Sequence, residues 1–444
     1  MSIAGRIDRL TVTPMLKKIL MLTGIGWMFD AMDQGMVSGV MAAIGKDWAL
    51  STAQLATLSS AGMLGMAIGA ALSGMVADKI GRKKVIMYTL IIYGVASGLS
   101  GFSVNYEMLV VLRFLTGFGL GGELPAASTL VSEFSPVKAR GRNVVILESF
   151  WAWGWIAAAL VAYLLIPVYG WRTAFFVGAI PAIFAAYLRK AVPESPRYLE
   201  SVGKIEEADE LVSEMEKQAG ITVETNKVQI DQTNYVIENL KVPFLKLWSM
   251  KYIKTTVVLW IIWFGINFGY YGFVLWTPTL LVGKGFALVK SFQFTLIMSF
   301  AQLPGYFSAA YFVEKIGRKK VLSIYFAGTA LAAWLFGHAT NANQVLMYGC
   351  LLYFFSLGAW GCVYAYTPEV YPTAARASGS GWAAAFGRLG AFIAPFIVPV
   401  VYKTYGKDLG YTYVFVMLTI IFIAVALITA LFGKETMGKS LEEI

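Results

Sequence analysis

Asp30, Asp33, Arg113, Glu123, Glu148 and Arg388 all fall inside long apolar runs of the chain. A charge at the middle of a bilayer costs at least about 2.5–3.5 kcal/mol, so each needs a partner or a watery cavity. Asp30 and Asp33 are spaced i, i+3, which places them near one face of a helix. Acids and arginines in this company suit a polar cavity with internal ion pairs. A proton-coupled carrier needs such a setting, because an acid there changes its proton affinity as a cation approaches or leaves. Other chemistries find no footing. His338 is the single histidine, and no HExxH, GxSxG or Cys/His cluster occurs, so neither a metal site, a cofactor nor an enzyme is expected. Cys350 and Cys362, on one expected helix, lie about 18 Å apart, too far to bridge.

The chain also repeats itself. DKIGRKK at Asp78–Lys84 returns as EKIGRKK at Glu314–Lys320, 236 residues on, and Glu133, Pro136 and Arg140 return at the same offset as Glu369, Pro372 and Arg376. Two motifs with one offset mean a duplicated half. Long-period symmetry in an apolar chain points to a transporter of two related bundles with the substrate between them. In each phrase an acid ends one helix, glycine makes the turn, and Arg-Lys-Lys opens the next. Asp78, Gly81, Arg82, Glu133 and Arg140, with Glu314, Gly317, Arg318, Glu369 and Arg376, are the candidate gating residues. Pairing of Asp78 or Glu314 with Arg140, Arg142 or Arg376 would tie helix ends together on the cytoplasmic side and break as the halves rock. A basic loop that only sets topology is the plainer reading.

The elements that must hold these residues follow from composition. The 444 residues are 58% hydrophobic and 14% charged, with mean hydropathy +0.65, against about 25% charged in soluble domains. Twelve runs are long enough to cross a bilayer as helix: roughly 19–41, 55–77, 85–103, 107–131, 143–166, 171–190, 254–281, 291–313, 321–339, 344–367, 379–401 and 411–433. Barrel-type alternation is missing. The expectation is an all-α membrane protein of twelve transmembrane helices in two pseudo-symmetric six-helix bundles. Of 36 Lys and Arg, only Lys46, Arg172, Lys284, Lys290, Lys403 and Lys407 fall in one set of loops, and Arg113 and Arg388 within spans. The remainder mark the cytoplasmic side and place both termini there. The net charge of +10 is thus a topology signal, not a nucleic-acid surface. The first apolar run holds Asp30 and Asp33 and lacks a convincing cleavage site, so it reads as a retained span.

The domain boundaries expected are 1–190 for the N-terminal bundle, 191–250 for a cytoplasmic linker and 251–444 for the C-terminal bundle. In the linker, Ile205, Ala208, Leu211, Val212 and Met215 recur at helical spacing, so a short amphipathic helix is expected. It serves either as a latch or as a regulatory partner site. Glycines at 117, 119, 121 and 122, and at 379, 381, 387 and 390, read as packing seams that also let bundles slide.

Several stretches resemble known families. The repeated IGRKK phrase resembles the signature of the major facilitator superfamily. FDAMDQGMVSG resembles the first span of proton-coupled sugar porters, and RFLTGFGLGG, PESPRYL and PEVYPTAAR resemble their later motifs. That resemblance implies proton coupling by Asp33 with Arg113, and Asp30 beside them; a static pair that fixes packing is the alternative. The sugar pocket departs from the pattern. Glu148 and Trp155 stand where sugar porters carry glutamines. The seventh span offers Asn267, Tyr270, Tyr271 and Trp276 in place of a double glutamine, and Tyr364 takes the place of a tryptophan. An aromatic site poor in amides suits a flat ring better than a polyol. A carboxylate on that ring would want an arginine, and Arg388 is the best placed.

The D-A-M-D spacing resembles the D-G-x-D of aromatic-acid/proton symporters. RFLTGFGLGGELPAASTLVSE, LESFWAWGW, AQLPGYFSAAY and AWGCVYAYTPEVYPTAARASGSG resemble bacterial niacin transporters, over nearly all the chain except roughly 200–245. These stretches add Gln302 and Trp360 to the binding set of Glu148, Trp155, Asn267, Tyr271, Trp276, Tyr364 and Arg388. The resemblance implies a monomeric plasma-membrane importer of nicotinate, coupled to protons. Another benzoate-like acid, a sugar, or a receptor derived from a carrier are the alternatives, and nicotinamide and uncoupled diffusion stay open.

Overall fold

A computed structural model describes residues 3–221, 247–371 and 373–436. Its long elements are all α-helices. This is what a chain apolar on every side of its helices requires, because hydrocarbon offers no water to satisfy backbone groups. The order is α1 (Ile3–Asp8), α2 (Pro14–Asp47), α3 (Thr52–Ile80), α4 (Arg82–Ser100), α5 (Tyr106–Phe134), α6 (Val137–Leu164), α7 (Ile166–Tyr169), α8 (Arg172–Val177) and α9 (Ile180–Ala191). Next come α10 (Pro196–Ser201), α11 (Ile205–Gln218), α12 (Ile253–Val274), α13 (Thr277–Gly283), α14 (Leu288–Phe300) and α15 (Gln302–Ile316). The chain then runs through α16 (Arg318–Gly337), α17 (Ala342–Glu369) and α18 (Thr373–Phe432), the last kinked at Gly406. Among the described residues, ten segments are long and apolar enough to cross a membrane. The long helices outside that set are α2, 34 residues with Asp30 and Asp33 inside it, and α4, 19 residues.

The chain divides into two compact units. The first is Met1–Met36, Ala61–Ala158 and Trp171–Asn234; the second is Val37–Ser60, Ala159–Gly170 and Tyr235–Ile444. In the first, α5 lies directly on α3. A Cβ built on Gly117 would sit 1.9 Å from the Gly62 carbonyl oxygen, so only glycine permits that approach. In the second, the Ser38 hydroxyl donates to the Val274 carbonyl at 3.1 Å, and α12 and α16 pack along α18.

The repeated loops have one geometry. Gly81 and Gly317 sit at φ 101° and 97°, a region that glycine alone enters freely. Arg82 pairs with Glu133 at 3.2 Å, and Arg318 with Glu369 at 3.0 Å. Each arginine also donates back to the carbonyl five residues earlier, Ala77 at 3.1 Å and Val313 at 3.3 Å. These are the tie residues among the described side chains. The side chains of Asp78, Arg140, Arg142, Glu314 and Arg376 lie outside the described residues. Each helix start is capped by a further carboxylate. Glu194 Oε1 accepts the Arg82 and Lys83 amides at 3.1 and 3.2 Å, and Glu435 Oε1 accepts the Arg318 amide at 2.9 Å. An anion there satisfies orphan amides and the positive end of the helix dipole.

A second ionic device holds the linker helix. Helix α11 buries Ala208, Val212 and Met215, while Ile205 is exposed and Leu211 half-buried. Ile3 and Ile7 of α1 pack against Leu199, Ala208 and Val212. Above that contact, Arg6 donates to both oxygens of Glu216 (3.1 and 2.8 Å), to Ser213 (2.9 Å) and to Asp209. Arg9 donates to Glu216 at 2.5 Å. The Glu216 carboxylate is only 1% exposed, so it depends on those two guanidiniums. Arg6 first, then Arg9, hold it below the usual carboxylate range against the opposing effect of burial.

A depressed carboxyl adds stability at neutral pH and loses it as pH falls through the carboxylate range. Protection of α1 and α11 against hydrogen exchange, taken relative to the intrinsic rate at each pH, should therefore fall on acidification. Glu216→Gln should give about tenfold or faster exchange at neutral pH, the equivalent of about 1.4 kcal/mol; protection equal to wild type would show that the clasp holds nothing. For the loops, a Cβ on Gly81 would meet Glu194 Oε2 at 2.2 Å, whereas Gly285, also at φ 101°, has nothing within 4 Å. Gly81→Ala should thus lower the melting temperature in detergent clearly more than Gly285→Ala, which carries only the backbone strain of roughly 1–3 kcal/mol. Equal losses would mean the carboxylate cap is not what the glycine protects.

Candidate functional site

The first unit contains a charged centre formed from α2, α4, α5 and α8. Arg113 Nη1 pairs with Asp33 Oδ2 at 3.1 Å, and the two side chains are 2% and 3% exposed. The remaining oxygen of Asp33 accepts the Ser97 hydroxyl at 2.6 Å. Arg113 Nη2 donates to Ser100 at 2.9 Å and to Thr116 at 2.8 Å, and the guanidinium lies 4.4 Å from the centre of the Phe175 ring. The spacing on each helix explains the assembly. Ser97 and Ser100 are one turn apart on α4, as Arg113 and Thr116 are on α5, so each helix turns a polar pair toward α2.

Asp30 is fully buried one turn before Asp33, but it leaves that pair and faces Glu123 of α5. The i, i+3 spacing makes the two aspartates neighbours without giving them the same partner. On α6, Glu148 and Trp155 are two turns apart on one face. Half-buried Glu148 stands beside the Trp27 indole, which packs on Trp151 with ring centres 4.8 Å apart. Trp155 is buried against Gly35 of α2.

The second unit holds an aromatic cluster. Trp360 stacks on Tyr364 at 5.7 Å and 26°, and both meet Trp263 edge-on, at 5.9 and 5.3 Å. Tyr270 adds an edge-on contact to Trp360 at 5.9 Å and donates to Gln302 Oε1 at 3.4 Å. Such tilted and offset arrangements are the favoured ones for aromatic pairs. Tyr364 remains 39% exposed while Trp263 is 5% exposed, so the cluster opens at the Tyr364 end. Arg388 of α18 is half-buried and lies within electrostatic range of the Tyr271 hydroxyl. Asn267 spends an amide hydrogen on its own helix, donating to the Trp263 carbonyl at 2.8 Å. Trp276 is buried at the α12–α13 junction and makes no ring contact with this group.

The structure therefore joins Asp33 to Arg113, Gln302 to Tyr270, Trp360 to Tyr364 and Tyr271 to Arg388. It separates Asp30 from Arg113, and Trp276 from the rings. Trp263, the centre of the aromatic cluster, was not singled out from the sequence, although it precedes Asn267 by one helical turn. Its indole donates to Thr367 at 2.9 Å, which fixes the ring that the other two lean on. Ser97, Ser100 and Phe175, which surround the ion pair, carry no motif that would reveal them.

Residues 25–444 match the family described as sugar (and other) transporter. The niacin transporter NiaP of Acinetobacter baylyi is 45% identical over 444 residues, 100% of both chains. A Bacillus subtilis protein provisionally named niacin/nicotinamide transporter NiaP is 44% identical over 427 residues, 96% of this chain and 98% of its own. Among solved structures, the xylose transporter XylE from E. coli in an inward open conformation aligns with a TM-score of 0.72 at 20% identity, over 96% of this chain and 98% of that one. That last likeness concerns the fold. Buried charge pairs, duplicated loops and full-length relatives agree, and the chain belongs to the sugar (and other) transporter family of the major facilitator superfamily, membrane proteins that move small molecules.

Proposed function

We propose that this chain imports nicotinate across the plasma membrane by proton symport and alternating access. The observation that carries the substrate is the full-length 45% identity to a protein named as a niacin transporter. The geometry supports it. Stacked Trp360 and Tyr364, with Trp263 at their edge, offer a flat apolar face for a pyridine ring. Arg388 beside Tyr271 offers a cation for the carboxylate. Asn267, Gln302 and Trp276 complete the binding set proposed on the second unit.

Asp33 and Arg113 couple protons to transport. A proton on Asp33 cancels the charge that Arg113 depends on, so protonation and rearrangement become one event. In this reading α2 and α4 also cross the membrane, completing twelve spans in two bundles joined by the linker, with both termini cytoplasmic. The Arg82–Glu133 and Arg318–Glu369 loops control the inward gate, and the carrier works as a monomer. Nicotinamide is the second reading, favoured by the name of the Bacillus subtilis relative. Arg388 weighs against it, because an uncharged amide leaves the guanidinium without a counter-charge.

Purified protein screened by thermal shift should respond to nicotinate over benzoate, nicotinamide and xylose. Arg388→Ala should weaken nicotinate binding about 10- to 100-fold, as expected for a charge-assisted contact of about 1.5–3 kcal/mol, and nicotinamide binding far less. A stronger response to benzoate would move the substrate to another aromatic acid. Asp33→Asn in proteoliposomes should abolish accumulation against a gradient when an inward proton gradient is imposed. Undiminished accumulation would remove Asp33 from coupling.

A further inference from the structure

Inside the first unit a second acidic pair lies apart from the Asp33–Arg113 centre. Asp30 on α2 and Glu123 on α5 are both 0% exposed, and their carboxyl groups are in electrostatic contact. None of their four oxygens has a hydrogen-bond partner of ordinary geometry. The Tyr93 hydroxyl of α4 lies beside them, also buried and unpartnered. The approach is built into the helices: a Cβ on Gly26, one turn before Asp30, would fall 2.3 Å from Glu123 Oε1, so glycine makes room for the carboxyl.

The surrounding charges do not resolve the pair. Asp33, one turn further along α2, is acidic and already spent on Arg113. Glu148 of α6 stands beyond, against Trp27, and is acidic as well. Among the described residues no lysine, arginine or histidine is in contact with Asp30 or Glu123. Two adjacent carboxylates without a counter-cation in a medium this dry resist ionising together, so at neutral pH one of them keeps its proton. A single proton held between them removes one charge and supplies the missing hydrogen bond, as in other carboxyl dyads.

We propose that Asp30 and Glu123 form a carboxyl–carboxylate pair that binds one proton within the first unit, a proton site separate from Asp33–Arg113. The proton bridges the two groups, and Tyr93 donates to the oxygen left outside the bridge. Uptake and release change only the protonation of the pair; no bond to carbon is made or broken. This deepens the proton-coupled reading above, and its test uses no substrate, so either can fail without the other.

Difference infrared spectroscopy of the purified full-length chain, stepped from neutral to alkaline pH, decides the matter. Wild type should show a protonated-carboxyl stretch that disappears at alkaline pH. The uncharged isosteric variant D30N/E123Q should lack that component, and Asp33→Asn should keep it. A double variant with an unchanged band overturns the proposal, as does a band that vanishes with Asp33→Asn alone. Loss of the band on adding sodium at constant pH would make the pair a metal-cation site and overturn it as well. Should the double variant fail to fold, Gly26→Ala keeps both charges but crowds Glu123 out of place. It should shift the frequency of the band, and an unshifted band would overturn the shared proton.

Discussion

Charge that enters a membrane helix must be matched there, and the Asp33–Arg113 pair is where this chain meets that demand most completely. Arg113 reaches Asp33, Ser100 and Thr116 and lies on the Phe175 ring, leaving only its Nε without an acceptor. Asp33 in turn takes Ser97 as well as the guanidinium. Breaking a buried pair by removing one partner costs roughly 3–5 kcal/mol, because the other charge is stranded. On the proposed coupling, protonating Asp33 does the same thing chemically. The helices that meet at this pair cannot then keep their arrangement at no cost, which is how a proton becomes a mechanical input.

The two loop repeats solve a different problem by the same means twice. A helix must begin directly after a tight turn, and its free amides need an anion. Glycine supplies the turn at Gly81 and Gly317, and the following arginine reaches across to Glu133 or Glu369. The caps, however, come from acids that the repeat does not relate. Glu194 follows α9 and Glu435 follows α18, and they do not share the 236-residue offset. The clasp of Arg6 and Arg9 on Glu216 applies the same chemistry to the linker, holding α11 to the N-terminal segment.

What could be read beforehand divides along physical lines. The membrane class and the duplication follow from hydropathy and offset, and the Asp33–Arg113 pair is implied by the resemblance to proton-coupled sugar porters. All three are properties of the chain that survive without coordinates. The Arg82–Glu133 and Arg318–Glu369 ties were present as named residues but not as pairs, since spacing says which side chains share an end and not which of them touch. Glu216 lies 210 residues from Arg6, and no periodicity links them. Asp30 and Asp33 were grouped by spacing, yet one helical turn sends them to different neighbours. Trp263 was hidden because a tryptophan in a membrane helix is ordinary; only its contacts with Trp360, Tyr364 and Thr367 set it apart.

On the proposed function, nicotinate and protons move together through this chain. Proteoliposomes loaded with a pH-sensitive dye, with no imposed proton gradient, test it directly when nicotinate is added outside. Substrate entry should be accompanied by acidification of the lumen, beyond the leak seen in protein-free liposomes. Nicotinate entry above that leak with no proton movement would contradict it.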